Sequence, residues 1–297
     1  MEIGFIGLGK MGMNMVRRLR RDQHRVVVYD RATDLIKQAE QQGCVGATSL
    51  ADLTSKLAAP RTVWIMVPSG PPTEETIQQT ASLLAAGDTI VDGGNTRFHD
   101  DVRRHASLKA KGLHYIDAGT SGGVWGLANG YCLMVGGDRA AVERLAPVLT
   151  TLAPPNGWAH VGGPGAGHYV KMVHNGIEYS MMQGYAEGFE LMAKSGYELD
   201  LGRIADLWMQ GSVVRSWLLE LAATALKDDP KLDKLKGFVQ DSGEGRWMIQ
   251  EAIDKDVPVP TLTMALYTRF RSRQEQSFAE KMLAALRNAF GGHAVRR

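Results

Sequence analysis

The chain has 297 residues, of which 44% are hydrophobic and 22% are charged, and its formal net charge is +2. This composition is typical of a globular protein with one large or two medium domains, and the near-neutral charge gives no electrostatic argument for nucleic-acid or membrane binding. The N-terminus lacks the basic start of a signal peptide, and the apolar runs are too short to span a membrane. We therefore expect a cytoplasmic protein with neither nucleic acid nor membrane as partner.

The first half of the chain alternates short β-branched runs with helical patterns. Such alternation predicts an α/β Rossmann-like domain, with a largely parallel sheet covered by helices. Strands are expected at EIGFIGL, RVVVYD, RTVWIMV, DTIVDGG, LHYIDAG and YCLMVGG. Helices are expected to begin near Met11, Thr33, Thr73, His99 and Arg139, the last of them ending near Leu149.

The strand patterns stop at a Pro- and Gly-rich segment over residues 151–168. We place a domain boundary near 162, which gives an α/β Rossmann-like domain over 1–162 and an all-α domain over 163–297. In the second domain, helices are predicted over 166–195, 201–226, 244–255 and 261–290.

The cysteines, Cys44 and Cys132, lie far apart and lack the spacing of metal ligands. Two reduced structural thiols are the interpretation that this pattern favours. The sequence accordingly predicts no metal site.

The segment GLGKMG places Gly7, Gly9 and Gly12 in a G-x-G-x-x-G pattern between the first strand and the first helix. The first glycine permits a tight turn, the second lets a pyrophosphate approach the backbone, and the third lets helix and strand pack closely. We expect this loop, including Leu8 and Met11, to bind a dinucleotide; the alternative is a purely structural turn.

Asp30 ends the second predicted strand, about twenty residues beyond the glycine-rich loop. Its carboxylate can accept hydrogen bonds from an unmodified adenosine ribose and would repel a 2′-phosphate, which favours NAD. Arg31 could instead stack on adenine or pair with a 2′-phosphate, so NADP stays possible.

Two further loops follow predicted strands: VPSG, with Val67 and Pro68, and DGGN, which ends at Asn95. Ligands bind outside the carboxyl ends of the strands in open α/β sheets, and Asn95 offers both a donor and an acceptor. We expect both loops to contact ligand, although each could be an ordinary turn.

The segment KMVHNGIEY places four polar residues on one helical face. Relative to Lys171, Glu178 lies roughly 20° away, His174 about 60° to one side and Asn175 about 40° to the other. Lys171 and Glu178 are separated by about 10 Å along the axis, so their side chains could bracket a small polar substrate.

The alternative for this segment is a solvated face with an ordinary charge pair. Asn175-Gly176 is poor helix chemistry, which favours a functional role. Partial burial would favour the neutral forms of Lys171 and Glu178, a lysine that can take a proton and an acid that can give one. Apolar neighbours indicate a helix packed on much of its circumference: Met172, Val173, Ile177, Met181 and Met182.

Together, GLGKMG, DGGN, SGG, KMVHNGIEY and RNAFGGH resemble the motifs of the 6-phosphogluconate dehydrogenase family, the decarboxylating branch of the β-hydroxyacid dehydrogenases. The motifs extend from residue 4 to residue 293, and the chain resembles a short form that lacks the second copy of the helical half. The resemblance implies oxidative decarboxylation of 6-phospho-D-gluconate to D-ribulose 5-phosphate and carbon dioxide, with reduction of NAD(P), as in the pentose phosphate pathway.

The resemblance also implies that residues 1–162 bind NAD(P) and that residues 163–297 bind substrate and form the oligomer. It further implies roles for individual residues. Lys171 would take the proton of the substrate 3-hydroxyl, Glu178 would protonate C1 of the enediol, and His174 would orient the hydroxyl being oxidised. The carboxylate and hydroxyls of the substrate would be held by Asn175, Asn95, Ser121, Gly122 and Gly123.

For the substrate phosphate, the resemblance implies Tyr179 and Arg269 from one subunit, with Arg287 and His293 from the tail of a neighbour. It therefore implies a homodimer or homotetramer whose C-terminal tail completes the neighbour's site; the alternative is a frayed basic end. A phosphate-contacting lysine of longer members has no clear counterpart, and Arg246 is the candidate to replace it.

Two other functions stay open at this point. One is another β-hydroxyacid dehydrogenase, of the 3-hydroxyisobutyrate or tartronate semialdehyde type. Its substrates carry no phosphate, so Arg269, Arg287 and His293 would have no phosphate to bind. A non-catalytic module that senses NAD or a sugar phosphate would leave Lys171 and Glu178 unexplained.

Overall fold

The computed structural model describes residues 1–296, which form two compact units. The first unit is Met1–Met172, and the second begins at Val173. The domain boundary near 162 stays a prediction. No helix among residues 1–296 combines the length and the apolar character that crossing a membrane requires.

The first unit is built on an eight-stranded sheet with the strand order β3-β2-β1-β4-β5-β6-β7-β8. Neighbouring strands are parallel except β6 and β7, which are antiparallel. The strands are β1 (Glu2–Ile6), β2 (Arg25–Tyr29), β3 (Val45–Gly46), β4 (Thr62–Ile65), β5 (Thr89–Asp92), β6 (His114–Ser121), β7 (Cys132–Gly137) and β8 (Trp158–Gly162).

Helices cover the sheet on both faces, so its central strands are buried along most of their length. In β1, Ile3 and Phe5 pack into one buried cluster while Ile6 packs into another. The helices of this unit are α1 (Lys10–Arg21), α2 (Thr33–Glu40), α3 (Leu50–Ser55), α4 (Pro71–Ala81), α5 (Phe98–Lys109), α6 (Gly126–Asn129) and α7 (Arg139–Leu152). The α/β Rossmann-like prediction is confirmed.

The remaining helices are α8 (Ala166–Ala193), α9 (Leu201–Trp208), α10 (Trp217–Asp228), α11 (Glu244–Asp254), α12 (Pro260–Ser272) and α13 (Phe278–Gly291). Helix α8 begins in the first unit and ends in the second. The prediction of a helical second half is confirmed, and the helices predicted over 166–195 and 244–255 correspond to α8 and α11.

Two predicted helices are wrong in extent. The helix predicted over 201–226 is interrupted after α9, at Gly211. A new helix, α10, follows Ser216, which caps its N-terminus: the Ser216 hydroxyl accepts a hydrogen bond from Leu219 N at 3.1 Å. The one over 261–290 is interrupted by RQEQS, residues 273–277, which offers no apolar side chain for a core.

Four short elements were not expected from the sequence: β3, α3, α6 and β8. Strand β8 lies inside the Pro- and Gly-rich segment and pairs with β7 in parallel. The strand has only five residues and is bounded by glycines on both sides, so periodicity could not indicate it.

Candidate functional site

The glycine-rich loop joins β1 to α1 and has the backbone geometry that the dinucleotide motif requires. Gly7 has a φ of +95°, and a Cβ there would lie 2.2 Å from Met66 O. A Cβ at Gly12 would lie 2.1 Å from Gly7 O, so helix and loop are in close contact. At Gly9, where α1 begins, no described atom lies within 4 Å of a Cβ position. This open cradle at a helix N-terminus fits a pyrophosphate.

Asp30 joins the end of β2 to the glycine-rich loop. Its Oδ2 accepts a hydrogen bond from Leu8 N at 2.7 Å, and its Oδ1 accepts one from Ala32 N at 2.8 Å. The carboxylate is only partly buried, so it can also face a ribose, and the adjacent Arg31 is exposed. Asp30 therefore shapes the loop as well as the place where a ribose would lie.

The two loops that follow β4 and β5 lie next to each other. A Cβ at Gly94 would lie 3.1 Å from Val67 O. Pro68 O accepts a hydrogen bond from Thr73 Oγ1 at 2.8 Å, which ties its loop to α4. Asn95 is partly buried in the adjoining loop. The sheet thus brings the predicted residues of both loops to one edge.

Lys171 is held against strand β6 of the first unit. A Cβ at Gly119 would lie 2.5 Å from Lys171 Cβ, so only glycine permits this approach. Asp117, two residues earlier, accepts hydrogen bonds from Gly165 N at 2.8 Å and His168 N at 3.0 Å, and so caps the start of α8. Strand β6 ends at Ser121, which Gly122 and Gly123 follow.

A buried cluster of charged residues surrounds the start of α8. His168 Nδ1 lies 2.8 Å from Asp101 Oδ2, and Tyr115 OH donates to Asp101 Oδ1 at 2.7 Å. Arg104 Nη1 donates to Asp92 Oδ2 at 3.1 Å. His168 Nε2 lies 3.1 Å from the backbone oxygen of Gly94. The cluster therefore connects α8, which carries Lys171, to the loop that carries Asn95.

Both ring nitrogens of His168 face oxygens that accept hydrogen bonds, so the ring is an imidazolium. Burial by itself would lower the pKa of His168, but the Asp101 carboxylate outweighs it and raises the pKa to about 10. Burial raises the pKa of Asp101 to about 6, against the opposing influence of His168. Between these values the two residues form a buried ion pair.

The same cluster has the spacing of a metal site. Asp92, Asp101 and His168 each offer a ligand atom, and these atoms lie within 4.8 Å of one another. However, His168 directs a proton to Asp101 and another to the Gly94 carbonyl, so it has no lone pair for a metal ion. The geometry fits an ion pair better than a metal centre.

In the second unit, the polar face of α8 is held by α11 and the segment before it. Asn175 Nδ2 donates to Glu244 Oε1 at 2.7 Å, and Asn175 Oδ1 lies 3.0 Å from His174 Nδ1. Glu178 Oε2 lies 3.9 Å from the same His174 nitrogen. His174 and Glu178 are partly exposed, whereas Asn175 is buried. The structure thus brings the predicted residues His174, Asn175 and Glu178 close together.

Tyr179 and Arg269 are in direct contact. The guanidinium of Arg269 lies 3.6 Å from the centre of the Tyr179 ring, and its Nη1 donates to Gln240 O at 2.8 Å. Tyr179 OH accepts from Ser242 N at 3.2 Å. The two residues expected to share a phosphate therefore lie side by side.

Arg246 makes a bidentate ion pair with Asp241, at 2.8 and 3.0 Å. This pair lowers the pKa of Asp241 far below its usual range, first through the hydrogen bond from Arg246 and then through Arg273. Arg246 is therefore already engaged, and its suggested replacement of the missing lysine stays a prediction.

The tail residues Arg287 and His293 are exposed, on α13 and just beyond it. Helix α13 ends at Gly291, and Gly292 takes a left-handed conformation with a φ of 63°. Asn288 Nδ2 donates to His293 O at 2.8 Å, which folds the tail back on the helix.

Several residues of the two sites were missed by sequence reasoning: Asp101, His168, Asp241, Ser242 and Glu244. His168 lay in a segment dominated by glycine, and its partner Asp101 is 67 residues away. Glu244 is 69 residues from Asn175. One sequence signal could have revealed His168: it lies one turn before Lys171 on the same predicted helix.

The comparisons with known proteins match both parts of the chain. The model for the NAD-binding domain of 6-phosphogluconate dehydrogenase matches residues 2–162, and the model for the C-terminal domain matches residues 167–296. The chain belongs to the 6-phosphogluconate dehydrogenase family. The resemblance predicted from the motifs is confirmed, and with it an oxidoreductase family with an NAD-binding domain.

Individual members of the family support the assignment. The enzyme of Haloferax volcanii, named NAD(+)-dependent and decarboxylating, is 42% identical over 299 residues, covering 100% of this chain and 99% of that protein. The Plasmodium falciparum enzyme, solved without ligand, with NADP+ and with 6-phosphogluconate, matches with a TM-score of 0.85 at 28% identity, over 100% of this chain and 66% of that one.

The wider superfamily is also similar in structure. The 3-hydroxyisobutyrate dehydrogenase of Mycobacterium tuberculosis, solved with L-serine, gives a TM-score of 0.74 at 25% identity. That match covers 89% of this chain and 90% of the other. The fold is therefore shared beyond the family, and the choice of substrate depends on particular side chains.

The His168–Asp101 pair predicts a pH dependence of stability. The folded state holds a proton on His168 up to about pH 10, whereas the unfolded state releases it near the ordinary value of 6.5. The stability that the protonated His168 contributes is fully present below pH 6.5 and is lost as the pH rises toward 10. Urea unfolding across this range should show a larger loss for the native protein than for His168→Gln.

His99→Gln, an exposed change on α5, is the matched control and should follow the native profile. Parallel profiles for the native protein and His168→Gln would contradict the ion pair.

Proposed function

We propose that this chain catalyses the oxidative decarboxylation of 6-phospho-D-gluconate to D-ribulose 5-phosphate and carbon dioxide, with NAD as the preferred acceptor. The observation that carries the proposal is the set of Lys171, His174, Asn175 and Glu178 along α8, in a chain that belongs to the family. The glycine-rich, VPSG and DGGN loops of the first unit support a dinucleotide site.

The first chemical step needs a base at the 3-hydroxyl. Lys171 Nζ takes the hydroxyl proton, and a bound nicotinamide supplies the acceptor for the hydride of C3. The product of this step is a β-keto acid, with its carbonyl at C3 and its carboxylate on C2. The close approach of Lys171 to β6 at Gly119 supports this role, because it fixes the backbone from which the amine reaches.

The second step breaks the bond between the carboxylate carbon and C2. The electron pair of that bond moves toward the C3 carbonyl, the carboxylate leaves as carbon dioxide, and Lys171 returns its proton to the carbonyl oxygen. Glu178 then donates a proton to the carbon that has become C1 of the enediol, while Lys171 takes back the proton of the adjacent hydroxyl, which yields the ketose. Its place seven residues from Lys171, about 10 Å along the axis, suits an acid acting at the neighbouring carbon.

The substrate phosphate accounts for the cations of the second unit. Arg269 is held against the Tyr179 ring, and a guanidinium fixed in this way can bind phosphate bidentately. An unphosphorylated 3-hydroxy acid, such as the substrate class of the 3-hydroxyisobutyrate dehydrogenases, would have no use for it. This is the feature that favours a phosphorylated substrate.

The tail of a second copy completes the proposed site, in a homodimer or homotetramer. Helix α13 has no buried residue among its described positions, although one side of it is strongly apolar. Such a stripe is expected to be covered by another surface. Its exposed members are Phe278, Met282, Leu283, Leu286 and Phe290.

The direct test is a spectrophotometric assay with 6-phosphogluconate, NAD and NADP, with 3-hydroxyisobutyrate as the competing substrate. We expect reduced nicotinamide from 6-phosphogluconate, faster with NAD, and little from 3-hydroxyisobutyrate. If the folded protein instead turned over 3-hydroxyisobutyrate faster than 6-phosphogluconate, the chain would catalyse another reaction of the superfamily.

Lys171→Met is expected to lower kcat by at least about 1,000-fold, because it removes the base while NAD binding is retained. Lys194→Met is the matched control, since Lys194 is exposed just beyond the end of the same helix and pairs only with Glu190 among described acidic groups. Steady-state kinetics and NAD titration measure the two effects. Near-native turnover by Lys171→Met would refute the role of the base.

Asp30→Ser is expected to shift kcat/KM toward NADP by about 10-fold or more, because it removes the charge that repels a 2′-phosphate. Asp34→Ser, an exposed change nearby in α2, should leave the ratio unchanged. Kinetics with both cofactors give the ratio, and an unaltered ratio in Asp30→Ser would show that another residue reads the ribose.

Coexpression of Lys171→Met with Arg287→Ala tests whether the tail crosses between subunits. Each variant alone should be nearly inactive, but a mixed dimer would contain one site with both native groups. Random pairing then restores about one quarter of native activity. Activity no greater than the sum of the separate variants would place Arg287 in its own subunit's site, or outside any site.

A further inference from the structure

We propose that Glu244 is a positioning residue that, through Asn175, fixes His174 in the tautomer with its proton on Nδ1 and an acceptor at Nε2. The role of His174 toward substrate rests on the proposed function. The tautomer itself does not, because contacts within the second unit determine it.

Glu244 begins helix α11 and is 5% exposed, so its carboxylate is buried where it meets α8. One oxygen accepts from Asn175 Nδ2 at 2.7 Å. The other accepts from the hydroxyl of Ser242. A carboxylate buried at this level is stable only when its oxygens are hydrogen-bonded, so Glu244 is a fixed acceptor.

The fixed carboxylate determines which way the Asn175 amide points. Its NH₂ group must face Glu244, because a carboxylate cannot donate a proton to the amide oxygen. The amide oxygen consequently faces His174 Nδ1, at 3.0 Å. Asn175 is 7% exposed, which leaves little room for the amide to rotate independently.

An oxygen that accepts requires a proton on the nitrogen opposite it, so Nδ1 of His174 is protonated. Glu178 Oε2, at 3.9 Å from the same nitrogen, favours the proton there as well. In the neutral ring, Nε2 then carries the lone pair. The hydrogen bond at one imidazole nitrogen thus decides the function of the other.

An acceptor at Nε2 suits a polyol. Instead of orienting the hydroxyl being oxidised, as the resemblance implies, His174 would accept a hydrogen bond from a hydroxyl on the carbon beside the reacting one, which leaves the 3-hydroxyl proton for Lys171. Glu244 would therefore orient the substrate without touching it, through a chain of carboxylate, amide and imidazole. A glutamate that served only the N-terminus of α11 would stabilise the helix but would have no effect on this tautomer.

The test is the tautomer of His174 in the full-length protein, read by ¹H–¹⁵N correlation spectra with histidine labelled selectively. The signal is assigned by its loss in His174→Gln. We expect a proton on Nδ1 and none on Nε2 in the native protein. A proton on Nε2, alone or together with one on Nδ1, would overturn the proposal without any variant of Glu244.

Glu244→Ala should release Asn175 and move the proton of His174 to Nε2, whereas Glu244→Gln retains an acceptor for Asn175 and should keep it on Nδ1. Glu251→Ala removes another buried glutamate of α11, one that pairs with Lys255, and is the control for a loss of stability alone. A native tautomer in folded Glu244→Ala would overturn the proposal.

Kinetics supply a second readout. With 6-phosphogluconate, kcat/KM should fall about 10- to 100-fold in Glu244→Ala and stay near native in Glu244→Gln, with the KM for NAD unchanged in both. Equal losses in both variants would overturn the positioning role. Absence of turnover in the native protein would count against the proposed function, while the spectra would still decide the tautomer.

Discussion

The buried charges around the start of helix α8 hold in place the part of the first unit that carries Lys171. His168 joins Asp101 on one side and the Gly94 carbonyl on the other, while Asp117 caps the helix. Leaving one of these buried charges without its partner costs free energy of folding, so the groups separate only when the unit unfolds locally. Lys171 follows His168 by one turn and lies against β6 at Gly119. The position of the proposed base is therefore set by electrostatics and close packing together.

The second unit uses the same helix in a different way. There, α8 is partly exposed, and its polar face is arranged by hydrogen bonds from α11 and the segment before it. A fixed carboxylate at Glu244 orients an amide, and the amide orients an imidazole. Arg269, stacked on Tyr179, adds a cation that a phosphate could use. One continuous helix thus carries a proposed base and a proposed acid whose surroundings are built independently.

The predictions from sequence succeeded where the signal is local. The strand, glycine-rich turn and helix of the first unit follow from adjacent residues, and the spacing of KMVHNGIEY places its polar groups on one face of α8. The breaks after α9 and α12 were missed because periodicity continues across short polar interruptions. His168 and Glu244 were missed because their partners are 67 and 69 residues away, and no local pattern reports such a pairing.

The reaction in D₂O tests most directly whether α8 supplies a base and then an acid to one substrate. Protonation by a fixed Glu178 predicts ribulose 5-phosphate with one deuterium at C1, on a single face, and one carbon dioxide for each reduced nicotinamide. Deuterium spread over both C1 positions would mean that solvent, rather than a fixed acid, protonates the enediol. Reduced nicotinamide without carbon dioxide would contradict decarboxylation itself.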